Sequence, residues 1–159
     1  MIKQKGWFLV VAGEPYSYKE EQIEKYKSII SEPNCLITHL YFIPEDKIKY
    51  YYSATDVVVL PYRKIYKGTS GILQLAASAG KPVIASNVGE VGQIVKENRL
   101  GILVESEASE SIANGIQYFL NKKEDICKNT YYRAVKYAKN NDWRIMASRI
   151  RKTYLATEG

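Results

Sequence analysis

Little in this sequence invites metal or redox chemistry. It has one histidine, His39, and two cysteines, Cys35 and Cys127, in 159 residues. The cysteines lie far apart and match no metal-ligand or redox spacing. They read as reduced thiols of a cytosolic protein, and no zinc site is expected. No apolar run approaches the roughly 18 residues that a membrane helix needs. The basic start, Met1 to Gly6, leads into only a short apolar stretch with no small-residue cleavage site, so a secretory leader is not expected. Linkers, repeats and low-complexity tracts are absent too. The chain reads as one domain over residues 1–159, with 121–159 a helical C-terminal tail.

What is present suits a globular domain. Hydrophobic residues make up 46% of the chain, enough for a core. The formal net charge of +6 favours anionic partners without choosing among them. Tyrosine is abundant, at 14. Tyr50-Tyr51-Tyr52 and Tyr131-Tyr132 sit among lysines, which could serve base stacking on single strands. The preferred reading is half-buried helix positions with polar tips outward, because no nucleic-acid motif accompanies them; nucleic acid is not an expected partner.

Strand and helix signals alternate. Trp7 to Ala12 is a continuous apolar run ending at Gly13, the pattern of a strand buried on both faces. Residues 19–31 carry Ile23, Tyr26, Ile29 and Ile30 at helical spacing, and Pro33 stops them. Cys35 to Thr38 begins a second strand. Glu45 to Ser53 reads as a helix led by Pro44. Asp56 to Pro61 is a third, β-branched strand. Gly68-Thr69-Ser70-Gly71 opens a helix running to Ala79, with Gly80 capping it. Pro82 to Ser86 is a fourth strand, Val91–Glu97 a short helix, and Gly101 to Val104 a fifth strand. From Glu105 on the pattern is helical, with breaks near Asn121 and Asn140–Asp142. The expected fold class is α/β: a single Rossmann-like domain with a mainly parallel five-stranded sheet and helices on both faces. Ligands of such sheets bind beyond the carboxyl ends of the strands.

The segment with the most chemistry follows the third strand. A helix start offers free N–H groups and the positive end of a dipole, and glycine lets an anion approach the backbone. Thr69 and Ser70 add hydroxyls; Arg63, Lys64 and Lys67 add positive charge. The same residues could be an ordinary Ser/Thr cap beside solvated lysines. Neither a P-loop nor a dinucleotide fingerprint is met.

The order of these words resembles a known group. Tyr52 to Tyr62, ending Leu60-Pro61-Tyr62, is followed by Ser70-Gly71-Ile72-Leu73-Gln74-Leu75-Ala76. Then come Gly80-Lys81-Pro82-Val83-Ile84-Ala85-Ser86-Asn87-Val88-Gly89 and Leu100 to Val104. Over residues 7 to 120 this resembles the C-terminal, donor-binding half of the GT-B glycosyltransferases, the retaining family 4 group. The resemblance implies transfer of a sugar from a UDP- or GDP-linked donor, with no cofactor and no bound metal. It implies that Gly68, Thr69, Ser70 and Gly71, helped by Arg63 and Lys67, hold the donor diphosphate. Tyr41, Phe42 and Ile43 would lie against the base, with Gln74 in the ribose vicinity. Val88, Gly89 and Glu90 would line the loop near the sugar. It also implies a role in polysaccharide or glycoconjugate biosynthesis.

The departures from that pattern matter as much. Two glutamates usual in the group fall here on Lys67 and Leu75. A lysine cannot accept hydroxyl protons, and leucine cannot hydrogen-bond a ribose. Gln93 stands for a usual glutamate, Glu90 for a glycine and Tyr41 for another glycine. No signal here matches the central strand and helix that usually begin this half, nor the N-terminal acceptor domain, so the chain is expected to be a fragment or truncated product of a longer transferase. The chain is therefore expected to be inactive alone. Either the second-strand unit packs directly on the third strand, or another copy or partner chain fills the gap. Exposed sheet edges would favour a homo-oligomer. The alternative is a non-catalytic binding or assembly module derived from such a transferase.

Three further features carry weaker readings. His39, at a strand end, lacks a partner carboxylate in any motif and reads as a strand-end histidine rather than an acid or base. Asp56 reads as a cap or turn residue, and Cys35 as core. Between Lys122 and Lys152 the basic residues far outnumber the acids Glu124, Asp125 and Asp142. Tyr132, Val135, Tyr137, Trp143, Ile145, Met146 and Ile150 are interleaved with them. Such a stretch could lie peripherally on the inner face of an anionic membrane. The preferred reading is a tail packed back on the sheet, because the sheet needs apolar cover.

Overall fold

The structure, a computed structural model, describes residues 6–15, 20–30 and 33–156. Every strand and helix signal becomes an element. In order these are β1 (Leu9–Ala12), α1 (Glu20–Ile29), a 3-10 turn (Pro33–Cys35), β2 (Leu36–His39), α2 (Glu45–Ala54), β3 (Val58–Leu60) and α3 (Gly71–Ser78). They continue as β4 (Val83–Ser86), α4 (Gly89–Asn98), β5 (Gly101–Val104), α5 (Ser109–Asn140) and α6 (Trp143–Ala156). Lys19 and Ser31, the expected ends of the first helix, lie outside the described residues.

All strand pairing is parallel, but the single five-stranded sheet needs correction. The described strands form a two-stranded sheet, β1-β2, and a three-stranded sheet, β3-β4-β5. No ladder joins β3 to β2 or β1 among the described residues. An apolar run marks a strand as suited to burial; it does not say which edge the strand pairs with. The chain divides into two compact units, the division falling between Tyr51 and Tyr52 inside α2.

The unit ending at Tyr51 has little core. β1 pairs with β2 from Leu9↔Leu36 to Ala12↔His39, and Gly13 N–H donates to the His39 carbonyl at 3.0 Å. Cys35 is buried, as its sequence context implies. The expectation of a β1 buried on both faces is overturned: all four of its residues are exposed. A two-stranded ladder has no interior strand, and among the described residues neither α1 nor α2 packs extensively on β1, so its apolar side chains keep their exposure.

The second unit holds the core. β4 is buried along its whole length between β3 and β5. Its side chains alternate, as strand geometry requires. Val83 and Ala85 join Leu60, Leu73, Ala76, Ala77, Val91 and Val95 on one face. Ile84 joins Val104 and Phe119 on the other, with Val59, Ile102, Ile112 and Ile116 packed around them.

α5 serves both faces. Its first half puts Ile112, Ile116 and Phe119 on the Ile84 face, while Ala134 and Ala138 lie in the cluster of the opposite face. The helix manages this by leaving helical geometry at Lys122 (φ −126°, ψ 20°), beside the expected break at Asn121. Gly115 allows the close approach, since a Cβ there would lie 2.6 Å from Val104 Cγ1. Beyond the kink, Lys123 Nζ pairs with Asp56 Oδ2 at 2.8 Å at the entry to β3. The pair is solvent-exposed and adds little stability.

The expectation of a tail packed back on the sheet holds for α5 and fails for α6. Every residue from Trp143 to Leu155 is exposed. Both faces of the small sheet are already covered by α3, α4 and α5, so no apolar surface remains there for α6. Among the described residues no helix is long and apolar enough to cross a membrane.

Phe119 is the largest fully buried side chain. Phe119→Ala should cost about 3–5 kcal/mol. Chemical denaturation of the two proteins measures this directly, and a loss below about 1 kcal/mol would mean that α5 does not close the Ile84 face.

Candidate functional site

β3 ends at Leu60 and the chain turns through Pro61 to Tyr62. Tyr62 then fixes the start of α3. Its hydroxyl lies 2.7 Å from Ser70 Oγ, and its carbonyl accepts a hydrogen bond from Ser106 Oγ at 2.7 Å. Its ring stacks on Tyr66 with centroids 4.0 Å apart and planes 8° from parallel. Burial, partly offset by the Ser70 hydrogen bond and reinforced by Tyr66, pushes the Tyr62 phenol above its ordinary value of 10.0.

Ser70 is the N-cap of α3. Its hydroxyl accepts from Leu73 N–H at 3.1 Å, and its backbone sits at φ +66°. A left-handed serine is uncommon and costs of order 1 kcal/mol or more. The Tyr62 contact and the cap together hold it there. Ser70 Oγ is thus engaged inside the protein. Gln74 N–H bonds the Ser70 carbonyl at 3.3 Å. Among the described residues the N–H groups of Gly71 and Ile72, in the first turn, have no hydrogen-bond acceptor. Both residues are exposed, and a Cβ built on Gly71 would meet nothing within 4 Å.

The basic loop between Tyr62 and Gly68 lies against the start of α4. Gly89, at φ +50°, brings the two together: a Cβ there would lie 2.6 Å from the Tyr66 carbonyl oxygen and 2.9 Å from Lys67 Cα. Glu90 N–H donates to the Lys67 carbonyl at 3.4 Å. Arg63 Nε is held by Glu107 Oε1 at 3.2 Å, an exposed pair. Lys67 makes no ion pair among the described residues.

Beside this junction, at the carboxyl ends of β4 and β5, is a cleft of about 340 Å³ lined by Lys64, Asn87, Val88, Leu103, Val104, Glu105 and Ser106. A wider depression of about 620 Å³ starts from the same Asn87 and Val88 and runs along α4 through Gln93, Lys96, Glu97 and Arg99. The first cleft has the position expected of a ligand site on a parallel sheet. No group of three or more His, Cys, Asp or Glu that could hold a metal occurs among the described residues.

Of the residues singled out in the sequence, this unit brings Lys67 against Gly89 and Glu90, while Arg63 pairs with Glu107 and Gly68, Thr69, Ser70 and Gly71 follow Lys67 into the start of α3. Gln74 points elsewhere: its Nε2 donates to the carbonyls of Ala138 at 3.2 Å and Asn141 at 3.4 Å, at the end of α5. Tyr41, Phe42 and Ile43 belong to the other unit, where they follow β2. Tyr41 stacks on His39 at 5.8 Å, and His39 Nδ1 lies 2.7 Å from the Tyr51 hydroxyl. A hydrogen bond with Tyr41 raises the Tyr51 phenol above its ordinary range. His39 thus has a phenol for a partner rather than a carboxylate. Tyr66, Asn87 and Ser106 were missed in the sequence. Tyr62, eight residues before Ser70, was visible there within the Leu-Pro-Tyr run.

The comparisons with known proteins agree on the kind of domain. The model of the glycosyl transferases group 1 family matches residues 1–122. Over 110 residues the chain is 29% identical to a D-inositol 3-phosphate glycosyltransferase of Rhodococcus opacus, covering 69% of this chain and 24% of that protein. Over 85 residues it is 34% identical to an uncharacterised glycosyltransferase of Methanocaldococcus jannaschii, covering 54% of this chain and 21% of that one. The chain therefore spans about a quarter of the curated relatives it matches. A glycosyltransferase of Rickettsia africae superposes with a TM-score of 0.77 at 20% identity, covering 96% of this chain and 40% of that one. Anabaena HepE in complex with UDP superposes with a TM-score of 0.75 at 17% identity, covering 94% and 41%. These structural likenesses establish the GT-B-type fold.

Two outcomes follow from the Tyr62–Ser70 pair. Ser70→Ala removes the cap and keeps the left-handed backbone, and should cost about 1–2 kcal/mol; Ser70→Gly relieves the backbone and should cost only a few tenths. Equal melting temperatures for the two variants would remove the strain from this account. Tyr62, Tyr52 and Tyr137 all have phenols raised by burial. A raised folded-state value gives stability that is complete below the unfolded value of 10.0 and is lost as pH rises through the folded one. The melting temperature should therefore fall above about pH 10, and less steeply in Tyr62→Phe, which has no phenol to ionise.

Proposed function

The chain belongs to the glycosyl transferases group 1 family, and on that premise we propose that it is the nucleotide-sugar donor-binding part of a glycosyltransferase. The observation that carries the reading is the start of α3. Gly71 and Ile72, both exposed residues, open the helix beyond a serine locked in place by Tyr62, with the cation Lys67 four positions before Gly71. A helix start of this kind suits a diphosphate, and N–H donors fixed in advance stabilise the charge that a leaving nucleotide develops. Gly68, Thr69, Ser70 and Gly71 contribute backbone to the site, and Lys67 with Arg63 contributes charge. Val88, Gly89 and Glu90 lie near the sugar. A donor linked to UDP or GDP is part of the same proposal; Gln74, whose amide is bonded to the Ala138 and Asn141 carbonyls, is not among its contacts. Solved HepE structures contain UDP and UDP-glucose, which supports a nucleotide sugar as ligand here.

In this reading the acceptor site lies on a separate domain or chain, and this chain alone transfers no sugar. The product belongs to polysaccharide or glycoconjugate synthesis on the cytoplasmic side of a membrane. Lys67 and Leu75, at positions where the resembled group has acids, favour a second reading: a binding or assembly module that retains the diphosphate contact without catalysis.

A thermal-shift titration with UDP, GDP, ADP and their sugar conjugates tests the proposal. One diphosphate should stabilise the fold, by about 2.7 kcal/mol at 100 times its dissociation constant. Gly71→Asp should abolish that shift without loss of stability, because an acid in the first turn suits the helix dipole but repels a phosphate. No shift with any diphosphate, or a shift that Gly71→Asp leaves intact, would refute the site. Sugar transfer by the purified chain would refute its inactivity alone.

A further inference from the structure

We infer that Tyr66 is a positioning residue: its ring, stacked on Tyr62, sets where Lys67 stands relative to the start of α3. This role deepens the donor-site reading and rests on it. Every part of Tyr66 is engaged. Its N–H donates to the Arg63 carbonyl at 2.9 Å, closing a turn of the basic loop. Its ring centroid lies 4.0 Å from that of Tyr62, with the planes 8° from parallel. Its hydroxyl would lie 3.2 Å from a Cβ built on Gly68, so glycine leaves the room that the phenol needs. Its carbonyl oxygen packs on Gly89, 2.6 Å from where a Cβ would stand. Both tyrosines lie against the core cluster that holds Leu73 and Val91.

Two routes therefore join Lys67 to Ser70. One is the chain itself, through Gly68 and Thr69. The other runs through side chains, from the Tyr66 ring to Tyr62 and across the 2.7 Å hydrogen bond to Ser70. Of the loop cations, Arg63 is paired with Glu107, and Lys64 lines the cleft of about 340 Å³. Lys67 is exposed and makes no ion pair among the described residues. A lysine stem is flexible and defines no direction of its own. Where its cation can reach is set by where its backbone is held, and a loop already held costs less to order when a ligand binds.

The test uses the full chain and whichever of UDP, GDP and ADP stabilises it, with dissociation constants from calorimetry. Lys67→Gln should weaken the diphosphate about fivefold, and Tyr66→Leu by a similar factor. Tyr66→Phe, the conservative variant, keeps the stack and should recover the parental affinity. In the Lys67→Gln background, Tyr66→Leu should cost less than about twofold more, because the tyrosine acts through the lysine. A merely structural role would lower affinity equally in both backgrounds. Binding should also depend less steeply on salt in Tyr66→Leu and in Lys67→Gln than in the parent. Gly68→Ala is the second variant, should Tyr66→Leu fail to fold. It presses on the Tyr66 hydroxyl, so its loss of affinity should be relieved in the Tyr66→Phe background. Additive losses, parental affinity in Tyr66→Leu, or a Gly68→Ala loss that Tyr66→Phe leaves intact would overturn the role of Tyr66 and leave the donor site in place. Absence of binding of all three diphosphates to the parent would refute the donor site and this role with it.

Discussion

The hydrogen bond between Tyr62 and Ser70 is the constraint on which the geometry of the candidate site depends. It holds a non-glycine residue in the left-handed region at the start of a helix, where the hydroxyl also receives Leu73 N–H. With both interactions made inside the protein, Ser70 offers its backbone, not its side chain, to any ligand. Tyr62 is fixed in turn by Ser106 from the turn after β5, and Tyr66 stacks against it. The loop carrying Arg63, Lys64 and Lys67 is thus tied at one end to β3 and α3. At the other it meets Gly89 at a distance that no larger residue tolerates. The cations are on a loop, but a loop with little freedom to move its ends.

The two units differ in what stabilises them. From Tyr52 on, a buried central strand separates two apolar clusters, each with its own helical cover. Before Tyr52, a two-stranded ladder and two helices leave Phe8, Leu9, Val10 and Val11 exposed. Burial of apolar surface is the main favourable term in folding, so the later unit carries most of the stability. The candidate diphosphate residues and the cleft at the strand ends lie in that unit. Tyr41, Phe42 and Ile43 lie in the other.

Much of this was legible in the sequence because local signals and tertiary demands coincided. The β-branched run at Val57–Val59 could only be a strand, Gly68–Gly71 could only open a helix, and the interruptions near Asn121 and Asn140–Asp142 fell where α5 kinks and ends. Sheet membership was not legible. Trp7 to Ala12 reads the same whether its faces are covered or bare, and pairing depends on neighbours that periodicity does not name. The fate of α6 was hidden for a similar reason. Its apolar stripe is the kind that covers a sheet, and only the packing of α3, α4 and α5 shows that the sheet is already covered. Within the site, Ser70 was visible as a cap. Ser106, which donates to the Tyr62 carbonyl, was not, because the nearness of those two residues arises only when β5 lies alongside β4 and β4 alongside β3.

The kink at Lys122 has a consequence for how the chain comes into being. Because a single late helix covers parts of both faces of the small sheet, neither face is complete when β5 leaves the ribosome. Phe119 must emerge before the Ile84 side is closed, and Ala138 before the Ala85 side is closed. Synthesis proceeds from the N-terminus, and a partly covered sheet is the species most exposed to misassembly. The last helical turns of α5 are therefore a timing element: the sheet laid down earlier is left waiting, with apolar side chains in water, until they arrive.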